Sequence, residues 1–440
     1  MSRTQELAAA FGVKCFVSGE MEEKMMEWVS VYMNNADWTD ERIQPLHIPE
    51  TVVKELKRLT LTEFSISEYT ELQEIIVKNL DIGLVTGGLL FKPYYDGSDS
   101  IRVDVVAQDR FIPVIGTRNA ITGVICMETV QVRDKYYTRA EYHHFDALRQ
   151  EHTIDQKCFV SSFQAFLGKE CSLKSVEQWQ EILPHKVYTG VKSPLFSVFR
   201  MPDYNNVDRD SPLGLSAFSA AMPFFEKADR QGERIDWEYQ SAERAIDATE
   251  SYFRYDPVTN RPVLPKGRER MYRALEQTGD GGEVFNTFSP EIRDAAMFNG
   301  ENEIYRRIEF AVGLSYGVLS KIDTVEKTAE EIKASKQRSF AHVSGIQNEL
   351  RRAIDKTIAA MQYYAQYYMQ QSALEYKIKF GDGVLEDVDK EFLRRNAMVQ
   401  AGYYDPKQVL SWYFDCSLED AAALMPQQSG YTDLFSGGDG

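Results

Sequence analysis

The stretch from about Thr328 to Ser372 constrains the fold most, because it contains no proline and places its apolar residues three or four positions apart. This spacing is typical of one continuous face of an α-helix. Thr328 and Glu331 form a candidate capping box at its start. At 1.5 Å per residue, roughly 45 residues span about 65–70 Å. No heptad seam is sustained. Because most helices of globular proteins are far shorter, we expect this one to be a strut that packs against copies of itself.

A short loop separates this helix from a preceding helical segment, Glu301–Val312. The junction and the region upstream contain an ordered set of short elements. They are Phe199-Arg200-Met201-Pro202, Asn205-Asn206, Ser211-Pro212-Leu213-Gly214-Leu215-Ser216, Gly313-Leu314-Ser315, Lys327-Thr328-Ala329-Glu330-Glu331-Ile332, and Ser344-Gly345-Ile346-Gln347 with Leu350. This set resembles the portal proteins of tailed bacteriophages, the head-to-tail connector family. The order of the elements matches over most of the chain.

The charge balance bears on any role with DNA. The chain has 67 acidic and 50 basic residues, a formal net charge of −17. Proteins that grip duplex DNA neutralise its phosphates with Lys and Arg, so the balance argues against a transcription factor or a nuclease. It is compatible with a passage through which DNA slides, because each tight phosphate pair would slow that movement.

Neither a membrane span nor a cysteine-based site is predicted. The sequence has no apolar run near 18 residues, so no membrane-spanning helix is expected. Its five cysteines are scattered and form no CxxC pair. We therefore expect reduced, buried thiols rather than a zinc module or a disulfide framework.

The first half of the chain is predicted to change from helical to β-rich near residue 82. Residues 1–80 are mostly helical in pattern, and short apolar runs separated by turns follow them. The predicted strands are Ile82–Tyr95, Ile101–Ala107, Phe111–Ile115, Ile121–Val132 and Tyr136–Asp146. They predict a small antiparallel barrel or sandwich. A short helix is expected at Glu177–Leu183.

Two further helices are predicted around a turn-rich insert. The first has Ser211 as N-cap and Pro212 in its first turn, and it extends to about residue 246 with a kink at Pro223. Prolines and glycines then prevent a long helix before residue 289. The second helix starts at Ser289-Pro290-Glu291, is interrupted at Asn299-Gly300, and resumes to Val312.

The resemblance implies an α+β portal-type fold that assembles as a ring. In the first part of the chain, residues 1–215 would be the N-terminal part of a wing that is β-rich from about 82, residues 216–246 a stem helix, and residues 247–289 an α/β clip insert. Residues 290–312 would be a second stem helix, and residues 313–327 a tunnel loop. Residues 328–388 would contain the long helix and a returning wing strand at Tyr376–Phe380, and residues 389–440 would form a helical crown (Asp389–Ala401 and Pro406–Met425) with a flexible tail.

No motif in the sequence predicts covalent chemistry. The patterns GxxxxGK[ST], GxGxxG and HExxH do not occur. Gly313-Leu314-Ser315-Tyr316-Gly317 matches GxSxG, but a nucleophile elbow needs a preceding strand, and here a helix is predicted. His143, His144, Asp146 and His152 cluster in sequence, yet His143 and His144 would point to opposite faces of a strand. We therefore expect a flexible loop, packing or surface histidines, no metal, no cofactor and no enzymatic activity.

Two clusters have both a structural and a functional interpretation. Lys266, Arg268, Arg270 and Arg273 form the densest basic cluster. The structural interpretation of this cluster is a solvated surface face. The functional interpretation, which the resemblance implies and which is about as well supported, is a surface on the clip that docks the packaging motor. The run Tyr363-Tyr364 with Tyr367-Tyr368 could stack on bases. At helical spacing it is more typical of a core or a subunit interface.

The loop before the long helix is the candidate channel site. In the family the matching loop projects into the channel and touches DNA, and here only Lys321 carries a charge suited to phosphate. The sequence therefore predicts an apolar, low-friction collar. The alternative is a loop packed into the wing. The residues concerned are Gly313, Leu314, Ser315, Tyr316, Gly317, Val318, Leu319, Ser320 and Lys321.

The resemblance implies a dodecameric ring at the portal vertex of a virion capsid, assembled in the host cytoplasm. Double-stranded DNA would pass through it non-specifically during packaging and ejection. Its partners would be the terminase large subunit, head-completion or adaptor proteins, the scaffold and major capsid proteins, and no membrane. Two other classes remain open at this point: a metal-dependent nuclease or hydrolase with an assembly domain, and a helical capsid scaffold protein.

Overall fold

The computed structural model has a mixed α+β fold with several sheets. It describes residues 3–117, 120–243, 245–249, 253–259, 261–263, 272–275, 285–321, 329–381, 388–414, 417–423 and 425. The chain divides into two compact units, residues 1–381 and residues 382–440.

Four helices open the first unit. They are α1 (Arg3–Ala10), α2 (Gly19–Tyr32), α3 (Ile48–Thr60) and α4 (Thr70–Thr86). Ser18 caps α2 by accepting a hydrogen bond from the Met21 N–H. The helices bury apolar faces that include Met21, Trp28 and Leu56. They share one core with the sheets that follow.

The prediction of a strand over Ile82–Tyr95 is wrong in its first part, because α4 continues through Thr86. Gly83 lets the Leu89 side chain pack against the helix, since a Cβ there would lie 2.6 Å from Leu89 Cγ. Gly87 then ends the helix at φ +95°, and a Cβ at this position would meet the Gly214 carbonyl oxygen at 2.4 Å. The β-rich region therefore begins at Gly88.

Two antiparallel sheets follow. The first, in the order β10-β2-β3, contains β2 (Gly88–Tyr95), β3 (Ile101–Ala107) and β10 (Ser197–Arg200). The second runs β4-β5-β6-β7-β8, with β9 also paired to β7. Its strands are β4 (Phe111–Thr117), β5 (Ala120–Val132), β6 (Lys135–Asp146), β7 (Glu151–Ser161), β8 (Lys169–Cys171) and β9 (His185–Thr189). The short helix expected at Glu177–Leu183 is only a 3₁₀ turn, Glu177–Trp179.

The prediction that Ser211 caps a helix is wrong. Residues 211–216 have no helical structure, and hydrogen bonds hold them against neighbouring strands and loops. Asn205 Nδ2 donates to the Leu213 carbonyl at 3.1 Å, and the side chain of Gln108 accepts the Gly214 N–H at 2.9 Å. Helix α5 begins later, at Met222, and ends at Ser241. Pro223 therefore lies in its first turn, where it causes no kink.

The insert and the second helix also differ in detail from the prediction. Helix α6 starts at Asp294 rather than near Ser289 and runs unbroken to Ala311. Helix α6 continues through Gly300, and there it packs side by side with α5. Gln231 Nε2 of α5 donates a hydrogen bond to the Met297 carbonyl of α6 at 3.1 Å. The described strands of the insert are β11 (Ala245–Thr249), β12 (Arg254–Tyr255), β13 (Pro262–Val263), β14 (Tyr272–Leu275) and β15 (Phe285–Phe288). In one sheet β11 pairs parallel with β14 and antiparallel with β15.

The long helix is present as α7 (Ala329–Met369), 41 residues. The stripe through Val343, Ile346, Leu350, Ile354 and Ile358 is at most 1% exposed. It packs on β2, β10 and α3 of the same unit. The subunit itself therefore covers this stripe, and the expectation that the helix packs against copies of itself stays a prediction. The returning strand is β16 (Ile378–Lys379), paired with β1 (Ser65–Ile66).

The second unit consists, where it is described, of three short helices. They are α8 (Val388–Gln400), α9 (Pro406–Phe414) and α10 (Leu418–Ala423). The guanidinium of Arg395 lies 4.0 Å from the ring centroid of Trp412. The single helix expected over Pro406–Met425 is thus two helices, and the predicted tail from Ser429 lies outside the described residues. In the described part of the chain no helix has the length and apolarity needed to cross a membrane.

Candidate functional site

The loop after α6 is organised around one buried carboxylate, that of Glu309. Its side chain is 0% exposed although it lies on α6. Glu309 Oε1 accepts hydrogen bonds from the N–H groups of Gly317, Leu319 and Ser320 at 3.0, 2.6 and 3.0 Å. Its Oε2 accepts from Ser320 Oγ at 2.7 Å. Backbone donors thus converge on the carboxylate as they do in an anion-binding nest.

The loop then turns back along α6. Asn302, which lies about two turns before Glu309 on α6, accepts the Lys321 N–H at 2.6 Å through its side-chain oxygen. At the start of the loop, Gly313 has φ +73°, and a Cβ there would lie 2.8 Å from the His342 ring on α7. Only glycine combines this backbone conformation with such a close approach.

Arg338 of α7 closes the other side of the loop. It donates to the Leu314 carbonyl at 3.1 Å, and its guanidinium lies 4.6 Å from the Phe310 ring centroid and 5.1 Å from that of Tyr316. Arg306 of α6 approaches the same Tyr316 ring at 5.6 Å. The aromatic ring is therefore held near two cations.

These contacts refine the prediction for the loop. Leu314 is 0% exposed and Ser320 is 5% exposed, so both belong to the packing of the subunit. Gly317, Val318 and Lys321 are its exposed residues. Glu309 and Arg338 both hydrogen-bond to the loop backbone, and the expectation of a flexible loop stays a prediction. The exposed surface of this loop is small, and the Lys321 ammonium group is the one positive charge of residues 313–321.

Most of the predicted basic cluster lies outside the described residues. Lys266, Arg268 and Arg270 lie outside the described residues, and Arg273 lies on β14, in register with Asp247 of β11. The base of the insert is better defined. Glu238, near the end of α5, accepts hydrogen bonds from Arg293 at 2.6 and 3.0 Å, and these bonds lower the pKa of the Glu238 carboxyl to about 2.

The context of Ser315 does not match a nucleophile elbow. Helix α6 ends four residues before it, and no strand precedes the serine in the described segment 294–315. This confirms the prediction that a helix, rather than a strand, leads into the GxSxG letters.

Two of the clustered histidines, His143 and His152, belong to a buried polar network that joins the β10-β2-β3 sheet to the larger β4–β8 sheet. His144 lies outside it and stacks on the Tyr142 ring. Lys92 Nζ on β2 lies 3.0 Å from Glu141 Oε2 on β6, and Glu141 Oε1 lies 2.8 Å from His143 Nε2. His143 Nδ1 lies 3.0 Å from His152 Nε2 on β7. The Leu195 N–H points to His152 Nδ1 at 3.5 Å. One set of neutral tautomers satisfies this order, with each imidazole donating towards Glu141.

The charged side chains of this buried polar network stabilise each other's ionised forms. Burial acts against ionisation of Glu141, but Lys92 and His143 outweigh it and hold its pKa well below the usual range. Burial likewise acts against the Lys92 ammonium, and Glu141 outweighs it, so the pKa of Lys92 is raised. Burial, with His143 nearby, lowers the pKa of His152 well below its usual value. In the described residues no group of three or more His, Cys, Asp or Glu side chains is placed to hold a metal ion.

The tyrosines at the end of α7 form a packed cluster. Tyr364 is 2% exposed and Tyr188 of β9 is 5% exposed. The hydroxyls of Tyr188 and Tyr368 lie 2.9 Å apart, and the Tyr95 ring stacks on that of Tyr368 with centroids 4.3 Å apart. Of this run Tyr367 is 52% exposed. The structure thus favours the core interpretation over a platform for bases.

Sequence reasoning missed the two residues that organise these sites, Glu309 and Lys92. A usable signal exists for both, because each is a single charge inside an apolar run: Leu89-Leu90-Phe91-Lys92 and Ile308-Glu309-Phe310. Such residues are rarely buried unless paired. Searches against protein-family models and against curated proteins found no match to this chain.

Proposed function

We propose that this chain is the portal protein of a tailed bacteriophage, a ring subunit that provides the channel for DNA packaging and ejection. The observation that carries the proposal is the succession from α5 to α7. Two packed helices, α5 and α6, enclose a small β insert, and a loop anchored on Glu309 leads into a 41-residue helix. This succession corresponds to the stem, clip, stem, tunnel loop and wing helix of the portal proteins that the sequence resembles.

The proposed mechanism is geometric and electrostatic. DNA in the channel would meet a ring of loop tips formed by Val318 and Lys321 from each subunit. Val318 offers no hydrogen bond to phosphate, and Lys321 offers one exposed cation whose attraction is screened by salt. Because Glu309 holds the loop backbone, the tips would keep their shape while DNA slides past. The net charge of −17 keeps non-specific attraction to DNA low.

Assembly would use the surface of the helix pair. Trp237 on α5 is 63% exposed, and Phe298 and Phe310 on α6 are 42% and 60% exposed. Several large apolar side chains exposed on one pair of helices are a candidate interaction surface. Head-to-tail contacts between identical subunits either close into a ring or grow into a filament. We propose a closed ring of twelve subunits that docks the terminase, then adaptor proteins, at the end bearing the insert.

Native mass spectrometry and negative-stain imaging of the purified full chain test this proposal. We expect closed rings with a central hole, and we expect Phe298→Glu to shift the population towards monomer. Leu148→Glu is the matched control, because Leu148 is 98% exposed in the turn between β6 and β7. A wild-type chain that stays monomeric at high concentration, or that forms open filaments, would overturn the proposal.

A further inference from the structure

Cys158 and Cys171 face each other across two neighbouring strands. Cys158 on β7 is directly paired with Cys171 on β8 in the antiparallel register. Their sulfur atoms lie 3.3 Å apart, with the Cys171 thiol donating to Cys158 Sγ. Both thiols are free in this structure. Paired residues on antiparallel strands have Cα atoms about 4.5–5.5 Å apart, which is within the range that a disulfide spans.

The surroundings of the pair differ on its two sides. Cys158 is 1% exposed and belongs to a small apolar cluster with Leu173, Val176 and Trp179. Cys171 is half-buried at the edge of that cluster, so it is the more exposed of the two cysteines. Burial and the neighbouring Cys171 raise the pKa of the Cys158 thiol to about 12. The more accessible sulfur is therefore the one that can meet an oxidant first.

We propose that Cys158 and Cys171 are a redox-active dithiol that forms an intramolecular disulfide with a low-molecular-weight disulfide such as oxidised glutathione. The Cys171 thiolate attacks one glutathione sulfur, forms a mixed disulfide and releases one glutathione thiolate. The Cys158 sulfur, having lost its proton to the released thiolate or to solvent, then attacks Cys171 Sγ and displaces the second glutathione. The protein loses two thiol hydrogens, and one glutathione disulfide becomes two glutathione thiols.

The bond would staple an otherwise weakly held edge of the larger sheet. Strand β8 has only three residues, and the segment before it displays Phe163 and Phe166, which are 67% and 63% exposed. A bond between residues 158 and 171 closes this segment into a loop. Closing a loop reduces the conformational entropy of the unfolded chain. The oxidised protein should therefore be more stable than the reduced protein, with the segment fixed at its base.

Peptide mapping of the full chain tests the proposal. The reduced protein is treated with excess oxidised glutathione, remaining thiols are alkylated, and trypsin is added. Cleavage after Lys157, Lys169 and Lys174 separates the two cysteines. We expect peptides 158–169 and 170–174 to be recovered as one linked species that a reductant divides. Recovery of both peptides alkylated, or of Cys171 held only as a glutathione adduct, would overturn the proposal.

Thermal unfolding provides a second readout that does not depend on the digestion. Oxidised wild-type protein should melt a few degrees above the reduced protein, and the difference should disappear in Cys171→Ser. A double variant of Cys15→Ser and Cys416→Ser is the control, and it should keep both the linked peptides and the shift. Equal melting temperatures for oxidised and reduced wild type would contradict the staple, and a shift that persists in Cys171→Ser would assign it to another thiol.

Discussion

Ser320 Oγ donates a 2.7 Å hydrogen bond to Glu309 Oε2, which fastens the end of the loop to the helix that precedes it. Three backbone N–H groups of the same loop share the other carboxylate oxygen. Hydrogen bonds to a charged acceptor are stronger than those between neutral groups. A single side chain therefore determines the shape of the segment proposed to meet DNA.

Glu309→Ala should destabilise the first unit and release the loop. It leaves one buried and two partly buried N–H groups without their acceptor. A buried donor left unpaired costs about 1–3 kcal/mol, so a total loss of roughly 3 kcal/mol in the free energy of unfolding is expected. Urea unfolding measures the loss, and hydrogen exchange at residues 317–320 should accelerate. The control is Glu303→Ala on the same helix, whose ion pair with Arg307 is exposed, and it should change stability by less than about 0.5 kcal/mol. Equal effects of the two variants would contradict the anchoring role.

Lys92→Met should be among the most damaging single changes in the β-rich region. It removes the ammonium partner of the buried Glu141 carboxylate, which keeps Arg139 Nη1 at 3.4 Å and His143 Nε2 at 2.8 Å. A buried charge left unpaired costs about 3–5 kcal/mol, and because two partners remain, a loss of about 3 kcal/mol is expected. The loss is measured as a shift in the urea midpoint. Adding Glu141→Gln should recover part of it, because the buried carboxylate that has lost its ammonium partner is then replaced by a neutral amide. Lys24→Met, which breaks an exposed pair with Glu27, should cost no more than about 1 kcal/mol. A double variant less stable than Lys92→Met would contradict this account.

His152 should make stability fall as the pH drops below neutral. Its pKa is lowered in the folded state, mainly by burial and then by His143 and His144, while Glu141 acts in the opposite direction. The unfolded chain therefore binds a proton near pH 6.5 that the folded chain does not accept, and stability is lost below that pH. Urea midpoints between pH 7.5 and 5.5 measure the slope. His152→Gln should reduce it, and an unchanged slope would exclude His152 as the source.

The sequence predicts the elements whose signal is local and repeated. Helix α7 and strands β3, β5 and β6 follow directly from apolar spacing, within a few residues at their ends. Ser211-Pro212 has the local signature of a helix start, yet Asn205 and Gln108 hold the following residues in an extended course. Those partners are distant in sequence or lie in a loop, so no local pattern reveals them. The same holds for Lys92 and Glu141, which meet only when two sheets pack.

The basic cluster gives a prediction about the motor. If the chain is the proposed ring subunit, changing Lys266, Arg268, Arg270 and Arg273 to Glu should leave assembled rings intact and weaken binding of the terminase large subunit, chiefly by slowing association. Surface plasmon resonance at two salt concentrations measures the effect, which should shrink at high salt. The charge-matched control changes four exposed cations on α2, α3 and the turn between β6 and β7, which are Lys24, Lys54, Arg58 and Arg149. Normal packaging by the cluster variant would exclude these residues from motor docking.

Val318 offers the sharpest test of the channel. It is 39% exposed at the tip of the anchored loop, whereas the neighbouring Tyr316 ring is held by Arg306 and Arg338. If the loops encircle DNA, Val318→Cys in neighbouring subunits should be joined by a short bifunctional thiol reagent, and joining them should narrow the passage. We expect assembled particles that no longer package DNA and that recover when a cleavable crosslinker is reduced. A background with serine at Cys15, Cys158, Cys171 and Cys416 leaves only the buried Cys126 as a native thiol, and Leu148→Cys, on the turn between β6 and β7, is the control. Crosslinked Val318→Cys particles that package at the normal rate would show that the loop does not line the channel.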